Sequence, residues 1–479
     1  MKLIYGVKDR PKFGQTVVFA LQQLLAIMAA TIAVPNIIGN GMTPSAALFG
    51  AGIGTIVYLL FTKFKSPVFL GSSFAFIGSM FSAFAGGVSM SLGYAGLILG
   101  ALFAGLVYVV IALIVKIAGV RWIDKLMPAV VIGPTVAIIG LSLAGNAVHD
   151  LVGVDFDAAT SSFIMTPHAG VCIACGLITL LVTMLCSVYG KKSLKLIPFI
   201  CGIVAGYITG VIFTVIGNAT GMEELVVINF QPFIDNFKEI SFESFISLPN
   251  FTFLEGFKGF KELNGSYLAT IAVAYVPVAF VVFAEHIADH KNLSSIIGHD
   301  LLKDPGLSRT LLGDGVGSIA GAFFGGCPNT TYGESVACVA ITRNASVCSI
   351  FMAAVLSIIV SLFTPFVLFL ETIPSCVMGG VCIALYGFIA VSGLKMLQKV
   401  DLDKDNHLFT VSVILIAGIG NLALSFGKVT LRTVACALIL GIITNVVLSK
   451  KSKKADNQEE TEEVKEEVKS EENTDKDNK

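Results

Sequence analysis

Apolar residues run in long unbroken stretches along most of this chain, without the 3.6-residue or two-residue alternation of half-buried elements. Twelve such runs lie at about 13–35, 44–61, 92–118, 127–146, 169–190, 194–217, 265–288, 307–325, 345–370, 374–397, 406–425 and 429–449. Most come close to the roughly 20 residues a helix needs to cross the hydrocarbon core of a bilayer. Two more stretches, 67–83 and 328–343, are apolar but short and rich in Gly, Ser, Pro and Thr. They predict broken spans. With them the chain makes fourteen crossings.

Charge placement tests that number, because cytoplasmic loops collect Lys and Arg. With the N-terminus inside, the predicted inner loops carry Lys63 and Lys65, then Lys116, Arg121 and Lys125, then Lys191, Lys192 and Lys195. Lys291, Lys303 and Arg309 follow, and then Lys395, Lys399 and Lys404. The predicted outer segments 36–43, 84–91 and 147–168 hold no Lys or Arg. Removing either broken span would invert every later loop and erase this pattern, so both chain ends are expected in the cytoplasm. Each broken span is third in a set of seven. Seven is odd, so the second set is inverted relative to the first. Two short helices would then face each other by their N-termini near the midplane.

Composition excludes an ordinary soluble enzyme. Of 479 residues, 55% are hydrophobic and 14% charged, with a mean hydropathy of +0.83; soluble domains are about a quarter charged. Residues 450–479 alone hold 8 Lys and 11 acidic side chains and no aromatics, which predicts a solvated tail. The net charge of −1 points to no nucleic-acid partner. Cys172 and Cys175 form a C-x-x-C inside an apolar run with no second pair, so they read as small apolar filler. Met1–Lys12 is short and basic and precedes a run too long for a signal h-region, so no signal peptide is expected. The longest loop, 218–264, is expected outside. Its Phe-rich run (Phe230, Phe233, Phe237, Phe242 and Phe245) fits either strands or an interfacial helix.

Ionisable groups at membrane depth are costly, so each is a functional candidate. Glu285 follows the apolar run 271–284, and Glu334 sits in Pro328-Asn329-Thr330-Thr331-Tyr332-Gly333-Glu334-Ser335. The bland alternatives are an interfacial helix end for Glu285 and a loop or helix-cap carboxylate for Glu334. Broken spans add unpaired backbone N–H groups, whose positive ends suit a carbonyl or carboxylate of a substrate. Asp289 lies one helical turn after Glu285 on the same face, or else at a solvated helix end. His286 and His290 face other directions and are expected at the interface.

These residues resemble the nucleobase–ascorbate transporter family, in its bacterial uracil permease branch. The resemblance rests on Ala284-Glu285-His286, Pro328–Glu334, Gly71–Phe76 and Leu385-Tyr386-Gly387, and extends from about Gly6 to Ser449. It implies an all-α polytopic membrane protein of fourteen spans in a seven-plus-seven inverted repeat. A core domain would comprise spans 1–4 (13–118) and 8–11 (265–370), and a gate domain spans 5–7 (127–217) and 12–14 (374–449). The segments 1–12 and 450–479 would be cytoplasmic, and 218–264 an extracellular loop. The resemblance further implies proton-driven import of a nucleobase bound between the short helices, no cofactor, and a homodimer through the gate domains in the cell membrane.

Carried over by position, Glu285 would hydrogen-bond the base and Glu334 would lie beside it. Phe74 and Gly333 would meet its polar groups through their backbone, and Phe74 would also stack. Tyr332 and Tyr386 would line the pocket. Uracil fits this set on chemical grounds: its carbonyls suit backbone N–H groups, its N–H groups suit carboxylates, and its ring suits an aromatic face. The chain departs from the family pattern with Gln22-Gln23 in place of Gln-His, with Asp289 where the uracil branch has His, and with Ser335 after Glu334. Asp289 keeps a xanthine or other purine carrier open. Two carboxylates one turn apart in a dry cleft repel each other, so Glu285, Asp289 and Glu334 are the candidate proton carriers. A metalloenzyme using Glu285-His286-x-x-Asp289-His290 lacks H-E-x-x-H. A channel, and an anion exchanger of the same general fold, complete the alternatives; Glu285 and Glu334 would repel an anion.

Overall fold

The computed structural model describes residues 3–448 except 120–121, 123–127, 155, 158–161, 192–193, 195–196, 399, 427–428 and 432. Arg121, Lys125, Lys192, Lys195 and Lys399 of the basic-loop pattern, and the tail 450–479, lie outside the described residues.

The described residues are mostly helical. The first helices are α1 (Phe13–Ile38), α2 (Pro44–Phe61), α3 (Ile77–Ala83) and α4 (Met90–Ala118). Next come α5 (Ala129–Ser142), α6 (Ala144–Val152), α7 (Pro167–Tyr189) and α8 (Pro198–Thr220). After two short helices, α9 (Gln231–Lys238) and α10 (Thr252–Gly259), follow α11 (Gly265–Ile297), α12 (Leu307–Gly325) and α13 (Gly333–Thr342). The last are α14 (Val347–Ser361), α15 (Thr364–Glu371), α16 (Ser375–Leu397), α17 (Asp405–Ile419) and α18 (Thr433–Leu448). Among the described residues, eight helical stretches are long and apolar enough to cross a membrane, which makes this a multi-pass membrane protein. Exposed Leu106, Val110, Leu113 and Ile117 on α4, and Leu177, Leu181, Leu185 and Val188 on α7, recur at about one-turn spacing. An apolar outer stripe of this kind is what lipid requires.

Local sequence sets the helix ends. Thr43, Ser89, Thr166 and Asn264 each accept a backbone N–H of the first turn of α2, α4, α7 and α11, as N-caps do. Gly221, Gly298 and Gly326 close α8, α11 and α12 in the left-handed conformation. The run 345–370 divides into α14 and α15 because Phe363 is extended and Pro365 begins a new helix. The run 406–425 ends early: Gly420 and the left-handed Asn421 stop α17, and a hairpin of Leu424–Phe426 with Val429–Leu431 follows.

Two helical groups emerge from the packing. In one, α12 packs on α2 and α4, α14 on α1 and α2, and α11 on α4. In the other, α16 packs on α5, α6 and α7, α7 on α8, and α17 on α5. Close approach in the first group needs glycine: a Cβ at Gly50 of α2 would lie 2.4 Å from the carbonyl oxygen of Gly321 on α12. The loop 218–264 is mainly helical. Its α10 lies against α4, Phe253 stacks on Phe323 of α12, and Phe251 and Phe257 pack edge-on against Phe324 and Phe323. Helix α11 runs nine residues past the end expected from hydropathy, so Glu285 and Asp289 are not at a helix end.

Candidate functional site

The two short apolar stretches meet as a pair of three-residue strands, Leu70–Ser72 and Asn329–Thr331, with Leu70 opposite Thr331 and Ser72 opposite Asn329. Side chains complete what so short a ladder leaves open. Thr55 Oγ1 accepts the N–H of Leu70 at 2.9 Å, and Asn329 Nδ2 donates to the Gly50 carbonyl at 3.1 Å. The Ser335 hydroxyl accepts the Phe69 N–H at 2.9 Å and also the Gln23 amide. Two departures from the family pattern, Gln23 and Ser335, are therefore partners. Gly71 must lack a side chain, because a Cβ there would lie 2.4 Å from the Tyr332 ring. That ring crosses the strand pair and donates its hydroxyl hydrogen to the Ser72 carbonyl at 2.7 Å.

A short helix leaves each strand. The turn Phe74–Phe76 leads into α3, and Gly333 opens α13. Both N-terminal ends border one cavity of about 530 Å³ that contains Ser73, Phe74, Gly333, Glu334, Glu285 and Asp289 in its wall. This volume is in the usual range for a small-molecule site, roughly 300–1,000 Å³. Tyr332 also lines it. Glu285 and Asp289 come from the same face of α11, as their spacing predicts. Asp289 accepts a hydrogen bond from the Thr331 hydroxyl at 2.8 Å. The solvated-end reading of Asp289 is overturned.

Three carboxylates thus share one cavity, and among its described lining residues Lys395 is the single cation. As anions they repel one another, and binding a proton relieves that repulsion. The Ser73 and Thr330 hydroxyls are buried, line the cavity and have no hydrogen-bond partner among the described residues. Sequence reasoning missed both. Their signal was position alone, beside Phe74 and Tyr332 in the broken stretches.

Tyr386 is expected in the pocket wall and is not there. It is 2% exposed and packs edge-on against Phe74, with ring centroids 5.8 Å apart. Helix α16 extends past this contact on both sides. Phe388, Ser392 and Lys395 border the carboxylate cavity, whereas Ser375, Met378 and Cys382 border a second cavity of about 270 Å³ with Asp150 and Glu371. Exposed Ala337, Ile341, Ser392 and Lys395 mark the open end of the first. The Phe74–Tyr386 pair sits between the two.

His286 and His290 correct a further expectation. They are 0% and 1% exposed, not interfacial, and occupy another face of α11 from Glu285 and Asp289. No common ligand set forms from the four. Their partners are Asp314 and Thr310 of α12 and Tyr58 of α2.

Many apolar helices enclosing a substrate-sized cavity, with irregular backbone at its centre, define a membrane carrier. The chain belongs to the Permease family, which it matches over residues 14–426. It is 37% identical over 459 residues to the uracil permease of Bacillus subtilis (strain 168), covering 95% of this chain and 97% of that one. Identity to the uracil permease of Escherichia coli (strain K12) is 34% over 439 residues, or 91% and 92% of the two chains. Among solved structures, the transmembrane domain of a cyanobacterial bicarbonate transporter, BicA, matches with a TM-score of 0.60 and 13% identity. That match covers 92% of this chain and 99% of the other. The murine Solute Carrier 26 family member A9 anion transporter, in the inward-facing state, gives 0.61 at 11% identity over 93% and 69%. At such identities the shared property is the fold.

Proposed function

We propose that this protein is a uracil permease that imports its substrate together with a proton. One observation carries the reading: two short-helix N-termini and three carboxylates, Glu285, Asp289 and Glu334, border a single cavity with Phe74 in its wall. Backbone N–H groups of the short helices receive the carbonyls of the base, Glu285 and Glu334 receive its N–H groups, and Phe74 covers the ring. The long uracil permease relatives support this substrate over a purine. The carboxylates disfavour an anion, although the fold is shared with a bicarbonate transporter.

The transport cycle uses the two helical groups as core and gate. Eight long apolar helical stretches, the five shorter ones and Leu307–Gly325 support a reading of fourteen spans in a seven-plus-seven inverted repeat. Basic residues such as Lys63, Lys65, Lys303 and Lys395 support cytoplasmic termini in a cell-membrane protein. With that orientation the open cavity faces the cytoplasm, and the Asp150–Glu371 cavity marks the outer end of the path. Movement of core against gate separates Phe74 from Tyr386 and exchanges which end is open. A proton on Glu285, shared with Asp289, accompanies the base and leaves to the cytoplasm after it. A homodimer through the gate group accords with the family resemblance.

Labelled uracil uptake in a permease-deficient cell, with excess unlabelled xanthine and with a proton uncoupler, tests this reading. Saturable uptake that the uncoupler stops and xanthine leaves untouched is the expected result. Uptake abolished by xanthine assigns a purine substrate, and uncoupler-insensitive accumulation removes the proton.

A further inference from the structure

The wall behind the cavity carboxylates is a buried polar chain. His286 Nδ1 lies 2.7 Å from Asp314 Oδ2, and His286 Nε2 lies 3.0 Å from Thr310 Oγ1, which in turn donates to the Leu307 carbonyl at 3.1 Å. His290 stacks on His286 with ring centroids 4.0 Å apart. Its Nδ1 donates to the His286 carbonyl at 2.8 Å, which leaves Nε2 to accept from the Tyr58 hydroxyl at 2.7 Å. Ser66 Oγ lies 2.7 Å from the same hydroxyl. His286, Asp314, Thr310, Tyr58 and Ser66 are all 0% exposed.

Hydrogen counting restricts the protonation of this chain. Thr310 has one hydroxyl hydrogen and gives it to Leu307, so His286 Nε2 satisfies Thr310 only by carrying a hydrogen itself. A further proton then lies between Asp314 Oδ2 and His286 Nδ1. The pair is neutral overall, and its Asp314 Oδ1 is buried with no hydrogen-bond partner among the described residues. Removing either partner would strand the other without water, which for a buried pair is strongly destabilising.

The geometry has a second consequence. Successive residues of a helix are 100° apart, so the faces carrying His286/His290 and Glu285/Asp289 turn together. The first face is fastened to α12 through Asp314 and Thr310 and to α2 through Tyr58. We propose that His286, through Asp314, is a positioning residue that fixes the rotation of α11 and thereby aims Glu285 and Asp289 into the cavity. The titratable groups around it are Asp314, Tyr58, Tyr108, His290, Glu285 and Asp289. None of the first four touches the carboxylate cavity.

The inference rests on the transport reading only for its kinetic readout, and two isosteric variants separate it from a simple packing role. His286→Asn keeps an amide where Nδ1 meets Asp314. His286→Gln keeps one where Nε2 meets Thr310 and loses Asp314. The expected result is a uracil KM within about threefold of wild type for His286→Asn and raised at least about tenfold for His286→Gln, because small misplacements of a binding group are costly. Maximal rate should change less than KM. Labelling of Glu285 by a hydrophobic carbodiimide, read by mass spectrometry on purified protein, should fall in His286→Gln alone. Equal impairment of the two variants, or none in either, overturns the proposal. If wild type takes up no uracil, the functional reading fails, while the labelling contrast still decides the positioning role.

Discussion

The two short strand-and-helix units that meet at the centre of the molecule are alike in backbone and unlike in chemistry. Residues 66–83 contain no ionisable side chain, and Ser73, Phe74 and Ala75 border the cavity. Residues 328–342 bring Tyr332, Gly333 and Glu334 to the same cavity. Opposed helix N-termini alone would favour an anion. A carboxylate on one side only, with a second pair arriving from α11, favours a neutral ligand having acceptors on one edge and donors on another. On the proposed reading the paired backbone is the frame, and the difference between its halves supplies the specificity.

The largest effect should come from removing that difference. If Glu334 receives the base as proposed, Glu334→Ala leaves the first unit intact but strands the donor groups of the base, which costs about 1–3 kcal/mol for each unmade bond. Uptake should fall by two orders of magnitude or to background. If Glu285 carries the proton as proposed, Glu285→Gln keeps the shape and removes it, so accumulation against a gradient should disappear. Continued accumulation by that variant would remove Glu285 as the carrier.

The two glycines of the units separate frame from specificity. At Gly71 a Cβ would meet the Tyr332 ring at 2.4 Å. Overpacking of this kind costs about 1–3 kcal/mol, so Gly71→Ala should lower both the melting temperature and uptake. At Gly333 the nearest atom to a Cβ is Asp289 Oδ1 at 3.8 Å, an ordinary contact. Gly333→Ala should keep the wild-type melting temperature, yet raise the uracil KM by up to about tenfold, since a misplaced ligand is costly. A destabilised Gly333→Ala, or a fully active Gly71→Ala, would dissolve the distinction.

Much of this frame is readable along the chain, because lipid forces apolar runs and makes each interruption conspicuous. The strand pair at 70–72 and 329–331 falls within the two interrupted stretches, and Glu285 and Glu334 stand out against their surroundings. The full length of α11 is not readable. The polar sequence Glu285-His286-Ile287-Ala288-Asp289-His290-Lys291 has the composition of a helix leaving the membrane, yet Glu285 and Asp289 face a cavity and His286 and His290 face polar partners. Those partners, Asp314, Thr310 and Tyr58, lie on other helices, and no spacing rule within α11 identifies them. Tyr386 is misplaced for a similar reason: its position is right for the helix, but the ring turns to Phe74.

A smaller effect is expected where the first unit is tied at the surface to the segment between α11 and α12. Lys65 precedes the first broken stretch and donates to Asp304, in the segment between α11 and α12, at 2.6 Å. His299 Nε2 lies 3.4 Å from the same carboxylate. The hydrogen bond and charge of Lys65, with help from His299, hold the Asp304 carboxyl below the ordinary carboxylate range. A group whose folded pKa is depressed adds stability above its unfolded value and loses it as pH falls through the folded one. Asp304→Asn should therefore melt slightly below wild type near neutral pH, with the gap closing in acid below the usual carboxylate range. Both side chains are partly solvated, so salt should shrink the gap as well. Uracil KM should not change, because neither residue lines the cavity. A shift in KM without a shift in melting temperature would show that the tie acts on the site, contrary to the separation of frame and specificity drawn from the two glycines.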